Sequence, residues 1–318
     1  MSQVNEVTEI RRKKSTLHVI KQRIYRERQL WLISLPIIVW VLIFSYYPMY
    51  GLSIAFFDYH PGIDIFKSTW VGLSNFKLFI DSVDFLMVLR NTLVISGLGL
   101  LFGFPAPLIL ALFINELKNR RFKKLVQTVS YLPQFISWVI VASILFLILG
   151  NEGTLNQILL GLGICDRPIS YLGEGKYFWV IITIANLWKS TGWTSIIYIS
   201  AISGIDSQLY EAGKIDGLGR FGLVMHITIP IIFPTIALLG ILGISGILNA
   251  GFEQQLLIGN VQNREYWEVL DTYAYKIGIQ HGMYSYGAAV GLMKSIFGTV
   301  LLVIANTFSK KFLDTSIY

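Results

Sequence analysis

Four histidines, one cysteine and 19 carboxylates are the residues with which this chain of 318 could do acid–base, nucleophilic or metal chemistry. Their spacing supports none of the three. His18, His60, His226 and His281 have no mutual helical spacing and no His-Glu-x-x-His pair occurs, so no metal site is expected. Cys165 stands alone, which excludes an internal disulfide framework and a cysteine metal cluster. A phosphate-cradling loop needs Gly-Lys followed by Ser or Thr. Gly175-Lys176 continues with Tyr177, and Gly213-Lys214 with Ile215. The reading is a non-enzyme that holds no nucleotide, metal or other cofactor of its own.

What remains is the chemistry of contact. Asn186, Lys189, Ser190 and Trp193 stand at i, i+3, i+4 and i+7, which puts an amide, an ammonium, a hydroxyl and an indole on one helix face. Asn249, Phe252, Glu253 and Gln254 gather at the end of another apolar stretch. These eight are the candidate lining of a path for a polar solute. A lysine at mid-membrane costs roughly 2.5–3.5 kcal/mol on insertion scales, so Lys189 is expected to face protein or water, in a path or in structural hydrogen bonding or a salt bridge to a partner subunit. Lys294 shares a face with Gly287, Gly291 and Gly298, a spacing that favours close helix packing.

The elements that must position these residues are membrane helices. The chain is 54% hydrophobic and 14% charged, with a mean hydropathy of +0.59, where a soluble domain carries about 25% charged residues. A crossing takes about 20 mostly apolar residues. Six stretches qualify: Trp31–Phe57, Thr92–Ile114, Leu125–Leu149, Tyr177–Ile202, Phe221–Ala250 and Ser285–Phe308. The first is too long for a signal-peptide core and is read as an uncleaved span. None contains Asp or Glu, which argues against an ion-coupled transporter with intramembrane carboxylates.

Lys and Arg concentrate in cytoplasmic loops. With the N-terminus inside, 17 of them fall on the cytoplasmic side and 7 outside. The expectation is therefore an all-α, multi-pass bacterial cell-membrane protein of six helices with both termini in the cytoplasm. Residues 1–30 form a basic segment against anionic lipid or a partner, 31–308 the membrane domain, and 309–318 a tail. The net charge of +7 is too unevenly placed for a nucleic-acid binder.

One cytoplasmic loop is unlike an ordinary connector. Between the fourth and fifth spans the chain reads Glu211-Ala212-Gly213, then three residues and Gly217, then nine more and Ile227-Thr228-Ile229-Pro230. Asp206 or Ser207 can cap a helix start, and Gly217 and Gly219 suit its stop. A short helix with a small, smooth face follows over about 206–219. This pattern resembles the Glu-Ala-Ala loop of binding-protein-dependent ABC importers, with Gly213 for the third residue and Ile229 for the Leu before proline. Weaker stretches, among them Tyr47-Pro48-Met49-Tyr50-Gly51, Tyr131-Leu132-Pro133 and Gly251-Phe252-Glu253-Gln254, are similar to the sugar-importing branch.

The resemblance implies a type I importer permease whose loop is a coupling helix. Glu211 would make polar contacts to an ATPase, Ala212 and Gly213 would pack in its cleft, and Gly217 would let the chain turn. Ile227 and Pro230 would shape the start of span five. It also implies partners: a second, similar permease, two ATPase subunits that bind ATP and Mg²⁺, an extracytoplasmic binding protein, and a sugar or oligosaccharide. A non-sugar solute carried by the same architecture is the main alternative. Cys165 lies outside in this topology, so a membrane-impermeant thiol reagent should label it in intact cells; labelling only after the cells are opened would reverse the sidedness.

Overall fold

The computed structural model describes residues 27–313. The expected basic segment therefore lies almost wholly outside the described residues, as does the end of the tail. The chain divides into two compact units, residues 1–54 and 55–318.

The first unit contains α1 (Arg28–Val41), a π-helical turn (Leu42–Tyr46) and most of a 3₁₀ stretch (Tyr47–Phe56). Pro48 accounts for that change of geometry. It has no N–H, and its ring crowds the carbonyl four residues back in a regular helix. A π turn widens the backbone just before it.

The second unit begins with a minimal hairpin, β1 (Phe57–Asp58) antiparallel to β2 (Thr69–Trp70), with Phe57 opposite Trp70. Asn75 locks it, donating to the carbonyls of Ala55 and Phe57 at 2.9 and 3.2 Å. Helices follow: α2 (Ser74–Ile80), α3 (Phe85–Gly103), α4 (Pro105–Glu116), α5 (Arg120–Tyr131), α6 (Trp138–Leu149), α7 (Thr154–Gly161) and α8 (Gly175–Ser203). Beyond α8 come α9 (Ser207–Ile215), α10 (Arg220–Leu223), α11 (Ile229–Ser245), α12 (Glu253–Ile258), α13 (Arg264–Trp267), α14 (Leu270–Tyr275) and α15 (Tyr284–Leu313).

Helix α8 is the hub. It packs against α3, α4, α5 and α13, while α11 packs on α15. Phe178 and Ile182 of α8 anchor one core cluster with Ile95, Ala142, Ile258 and Val269. Tyr198 and Ile202, further along, anchor another with Ala111 and Ile232. Serine and threonine hydroxyls in the apolar helices bond back to the carbonyl four residues earlier, as from Ser143 to Val139 at 2.9 Å and Thr307 to Val303 at 2.7 Å. Such bonds hide a polar group that lipid cannot solvate.

Among the described residues, five stretches are long and apolar enough to cross a membrane: Arg28–Phe56, Phe85–Glu116, Trp138–Gly161, Arg220–Ser245 and Tyr284–Lys311. Helix α8, expected as the fourth of six spans, is not among them. At 29 residues it is long enough, but Asn186, Lys189, Ser190 and its threonines lower its apolarity.

The expected continuous span Leu125–Leu149 is broken. Helix α5 stops at Tyr131, a 3₁₀ turn runs Leu132–Phe135, and α6 restarts behind Ser137. Pro133 supplies no donor to the ladder; Leu132 before it stays helical, and the chain turns extended at Ile136 and Ser137, with ψ of 130° and 153°. The fifth expected span, Phe221–Ala250, is α10, a second π turn (Val224–Thr228) and α11, and it ends at Ser245. Pro230 follows that π turn by two residues, as Pro48 follows the first.

Helices α5 and α8 approach at Gly192, where a Cβ would overlap the carbonyl oxygen of Ser130. Gly97, by contrast, has open space around its missing Cβ. Gly192→Val should therefore cost about 1–3 kcal/mol through overpacking, while Gly97→Ala should be neutral or stabilising by up to about 1 kcal/mol. Thermal unfolding in detergent reads both, and equal melting temperatures would refute the close contact.

Candidate functional site

The loop after α8 folds as the short helix α9. Asp206 caps it, its carboxylate accepting from the Gln208 N–H at 2.9 Å. The far end closes in a Schellman arrangement: the Gly217 N–H donates to the Lys214 carbonyl at 3.1 Å and the Leu218 N–H to the Gly213 carbonyl at 2.9 Å. Gly217 has a φ of +82°, which a β-carbon would strain. Gly219, expected to share that role, has a φ of −72° and leads extended into α10, so one glycine is enough.

Helix α9 presents two different faces. Glu211 and Ala212 are exposed, and so are Leu209 and Ile215. Gly213 is not available to a partner, contrary to expectation. It is buried by its own chain, where a Cβ would lie 2.7 Å from Ile227 Cδ1 and 2.9 Å from Leu223 Cδ2. The Tyr210 hydroxyl lies 3.0 Å from Thr228 Oγ1. Ile227 is thus the inner wall behind Gly213, and Pro230 opens α11 beyond the π turn.

A cavity of about 420 Å³ lies between α3, α8, α11 and the segment after α11. Asn186, Ser190, Asn249 and Gln254 line it, as expected, joined by Ser96, Thr183, Thr194 and Tyr198. All eight are neutral. Thr183 and Ser190 spend their hydroxyl protons on the carbonyls of Trp179 and Asn186, at 2.6 and 2.8 Å, and offer lone pairs. Ser96 Oγ is buried without a partner among the described residues. Gly251, at a φ of +89°, makes room for the Gln254 amide, which a Cβ would overlap.

Four of the expected path residues lie elsewhere. Lys189 Nζ donates to the carbonyls of Pro133 at 3.3 Å, Gln134 at 2.9 Å and Ile136, closing the open end of the 3₁₀ turn. Trp193 meets the Phe135 ring edge-on at 5.6 Å. Phe252 meets Tyr275 likewise at 5.2 Å, and Glu253 is exposed at the start of α12. Lys189 stands in structural hydrogen bonds, off the cavity face. The cavity stripe runs Thr183, Asn186, Leu187, Ser190, Thr194 and Tyr198, to one side of it, and starting from Thr183 at helical spacing would have found it.

Spacing along the sequence gave no sign of an ion network near the start of α3. Glu268 is fully buried and takes Arg264 Nε at 2.6 Å and Lys276 Nζ at 3.1 Å. Arg264 also reaches Asp84 at 2.8 Å. Burial works against the Arg264 charge, but Asp84 and Glu268 outweigh it and hold its pKa above the ordinary guanidinium value. Asn91 adds donors to the Glu265 and Glu268 carbonyls at 2.9 and 3.0 Å. Lys294, read as part of a glycine packing face, holds both oxygens of Asp271 at 2.6 and 2.7 Å. On that helix Gly287 does pack closely, against Gly278.

Residues 103–314 match the family of binding-protein-dependent transport system inner membrane components. Protein LplB of Bacillus subtilis is 44% identical over 288 residues, covering 90% of each chain. The polygalacturonan/rhamnogalacturonan transport system permease protein YteP of the same organism is 41% identical, covering 93% of this chain and 92% of that one. Among solved structures, a chain of a bacterial ABC transporter involved in the import of the acidic polysaccharide alginate superimposes with a TM-score of 0.83 at 37% identity. That match covers 92% of this chain and 99% of the other. The alginate transporter in complex with an alginate pentasaccharide-bound periplasmic protein gives 0.84. The chain belongs to this family of inner membrane permease components, and it is a multi-pass membrane protein.

If Lys189 serves to close the turn, Lys189→Met should leave its three carbonyls short of a donor. Each buried unsatisfied group costs about 1–3 kcal/mol, so the melting temperature should fall clearly while Ser190→Ala leaves it unchanged. An unchanged melting temperature in Lys189→Met would return the lysine to the solute path.

Proposed function

We propose that this permease component forms one half of the membrane path of an ATP-driven importer for an oligosaccharide. In this reading α8 is a true sixth span, crossing between Trp138–Gly161 and Arg220–Ser245, and both termini face the cytoplasm. A second, similar permease supplies the other half of the path. Two ATPase subunits bind ATP and Mg²⁺ and grip the α9 helices, and an extracytoplasmic binding protein delivers the sugar.

The observation that carries the proposal is the seating of α9. Burial of Gly213 against Leu223 and Ile227, with the Tyr210–Thr228 contact, ties the exposed docking face to the root of α11. A push on α9 is then a push on a membrane helix that walls the polar cavity. Glu211 and Ala212 are the outward contacts, Gly217 fixes the turn, and Ile227 and Pro230 pass the displacement on. Asn186, Ser190, Asn249 and Gln254, with Ser96, Thr183 and Thr194, are the groups to which sugar hydroxyls would bond. Their neutrality suits an exchange of many weak hydrogen bonds. The carbohydrate names among the relatives support the substrate class.

Ala212→Arg tests the coupling role without touching the fold, because Ala212 is exposed. Co-expressed with its candidate permease and ATPase and purified in mild detergent, the wild type should retain the ATPase. The variant should bind it roughly tenfold more weakly or worse, a loss of about 1.4 kcal/mol. Equal retention would place the ATPase contact elsewhere.

A further inference from the structure

We infer that α5 is a membrane-surface helix that binds anionic phospholipid of the cytoplasmic leaflet. Its sequence separates into three faces. Val126 and Ser130 turn toward α8, where Gly192 accepts the Ser130 backbone. Phe122, Leu125, Val129 and Leu132 form a second stripe at helical spacing, each between 51% and 61% exposed. Arg120, Arg121 and Lys124 are exposed beside it at the start of the helix, and no carboxylate pairs with them among the described residues.

Across the break at Pro133, Phe135 and Val139 are exposed too, and Val139 lies within a membrane-crossing stretch. Its surroundings are therefore lipid from one end. Charge fixes the other end. Arg120, Arg121 and Lys124 stand in the first turns of α5, away from Val139, and a basic side chain is costly in hydrocarbon, so those turns belong at headgroup level. A helix with an apolar stripe flanked by arginine and lysine lies in that zone and is held by both terms, acyl contact and charge. Each basic residue near an anionic surface contributes about 1 kcal/mol. The complementary headgroup is anionic, and the apolar stripe distinguishes a lipid from a soluble phosphate.

The inference rests on the reading that puts the loop after the second span in the cytoplasm, but its test does not depend on sidedness. The full chain is prepared as Cys165→Ser with Leu125→Cys carrying a nitroxide, in bilayers of phosphatidylcholine alone or mixed equally with phosphatidylglycerol. Oxygen should relax the label far more than a water-soluble nickel complex does. Native mass spectrometry should find phosphatidylglycerol bound several-fold over phosphatidylcholine, with the excess lost in Arg120→Gln/Arg121→Gln/Lys124→Gln. Equal binding of the two lipids, or an excess that survives the triple variant, overturns the charge argument. A label that nickel reaches freely, or that is shielded only once ATPase subunits are added, overturns the lipid surface in favour of water or protein. No ATPase or sugar is needed for the lipid readout, so failure of the transport reading leaves this result intact.

Discussion

Hydrocarbon cannot hydrogen-bond a peptide group, and the architecture follows from that single deficit. A helix satisfies itself, so each departure from regular helix must find donors or geometry within the protein. Two departures are π turns placed two residues before Pro48 and Pro230, where a wider ring relieves the clash that proline would cause. Another, at Pro133, is solved by a side chain from another helix. Lys189 brings an ammonium to the carbonyls that the broken ladder releases. Charge and backbone defect cancel, and neither could stand there alone.

That cancellation explains where sequence reasoning succeeded and where it slipped. Apolar runs were legible because lipid enforces them residue by residue. Asp206 as the cap and Gly217 as the stop were legible because the local backbone demands those types. The break within Leu125–Leu149 was hidden by averaging, which scores Pro133 as one mildly polar residue in a window. For Lys189 the sequence leaves a path role and structural hydrogen bonding both open, because its partners lie more than fifty residues away. The network of Asp84, Arg264 and Glu268 joins residues up to 180 apart in sequence, and no periodicity reports such a pairing.

The polar cavity and α9 meet at α11. Its Leu239, Leu242 and Gly243 wall the cavity, while its N-terminal end, across the π turn, takes the weight of α9 through Ile227 and Thr228. At that joint Gly213 sits under the side chains of Leu218, Leu223 and Ile227; elsewhere in the bundle Gly192 meets the Ser130 backbone and Gly287 meets Gly278. Contacts this tight leave little compliance, so force applied at one end is transmitted rather than absorbed.

The two adjacent small residues of α9 consequently answer to different selective masters. Gly213 is confined by Leu218, Leu223 and Ile227 of the same chain. A bulky replacement there could be rescued by second-site changes within this gene, at the residues that crowd it. Ala212 faces outward. Under the proposed coupling role, a replacement at that position would find its suppressors in a different gene, the one encoding the ATPase. Neighbouring codons would thus map one pressure onto a single lineage and the other onto co-evolution between two.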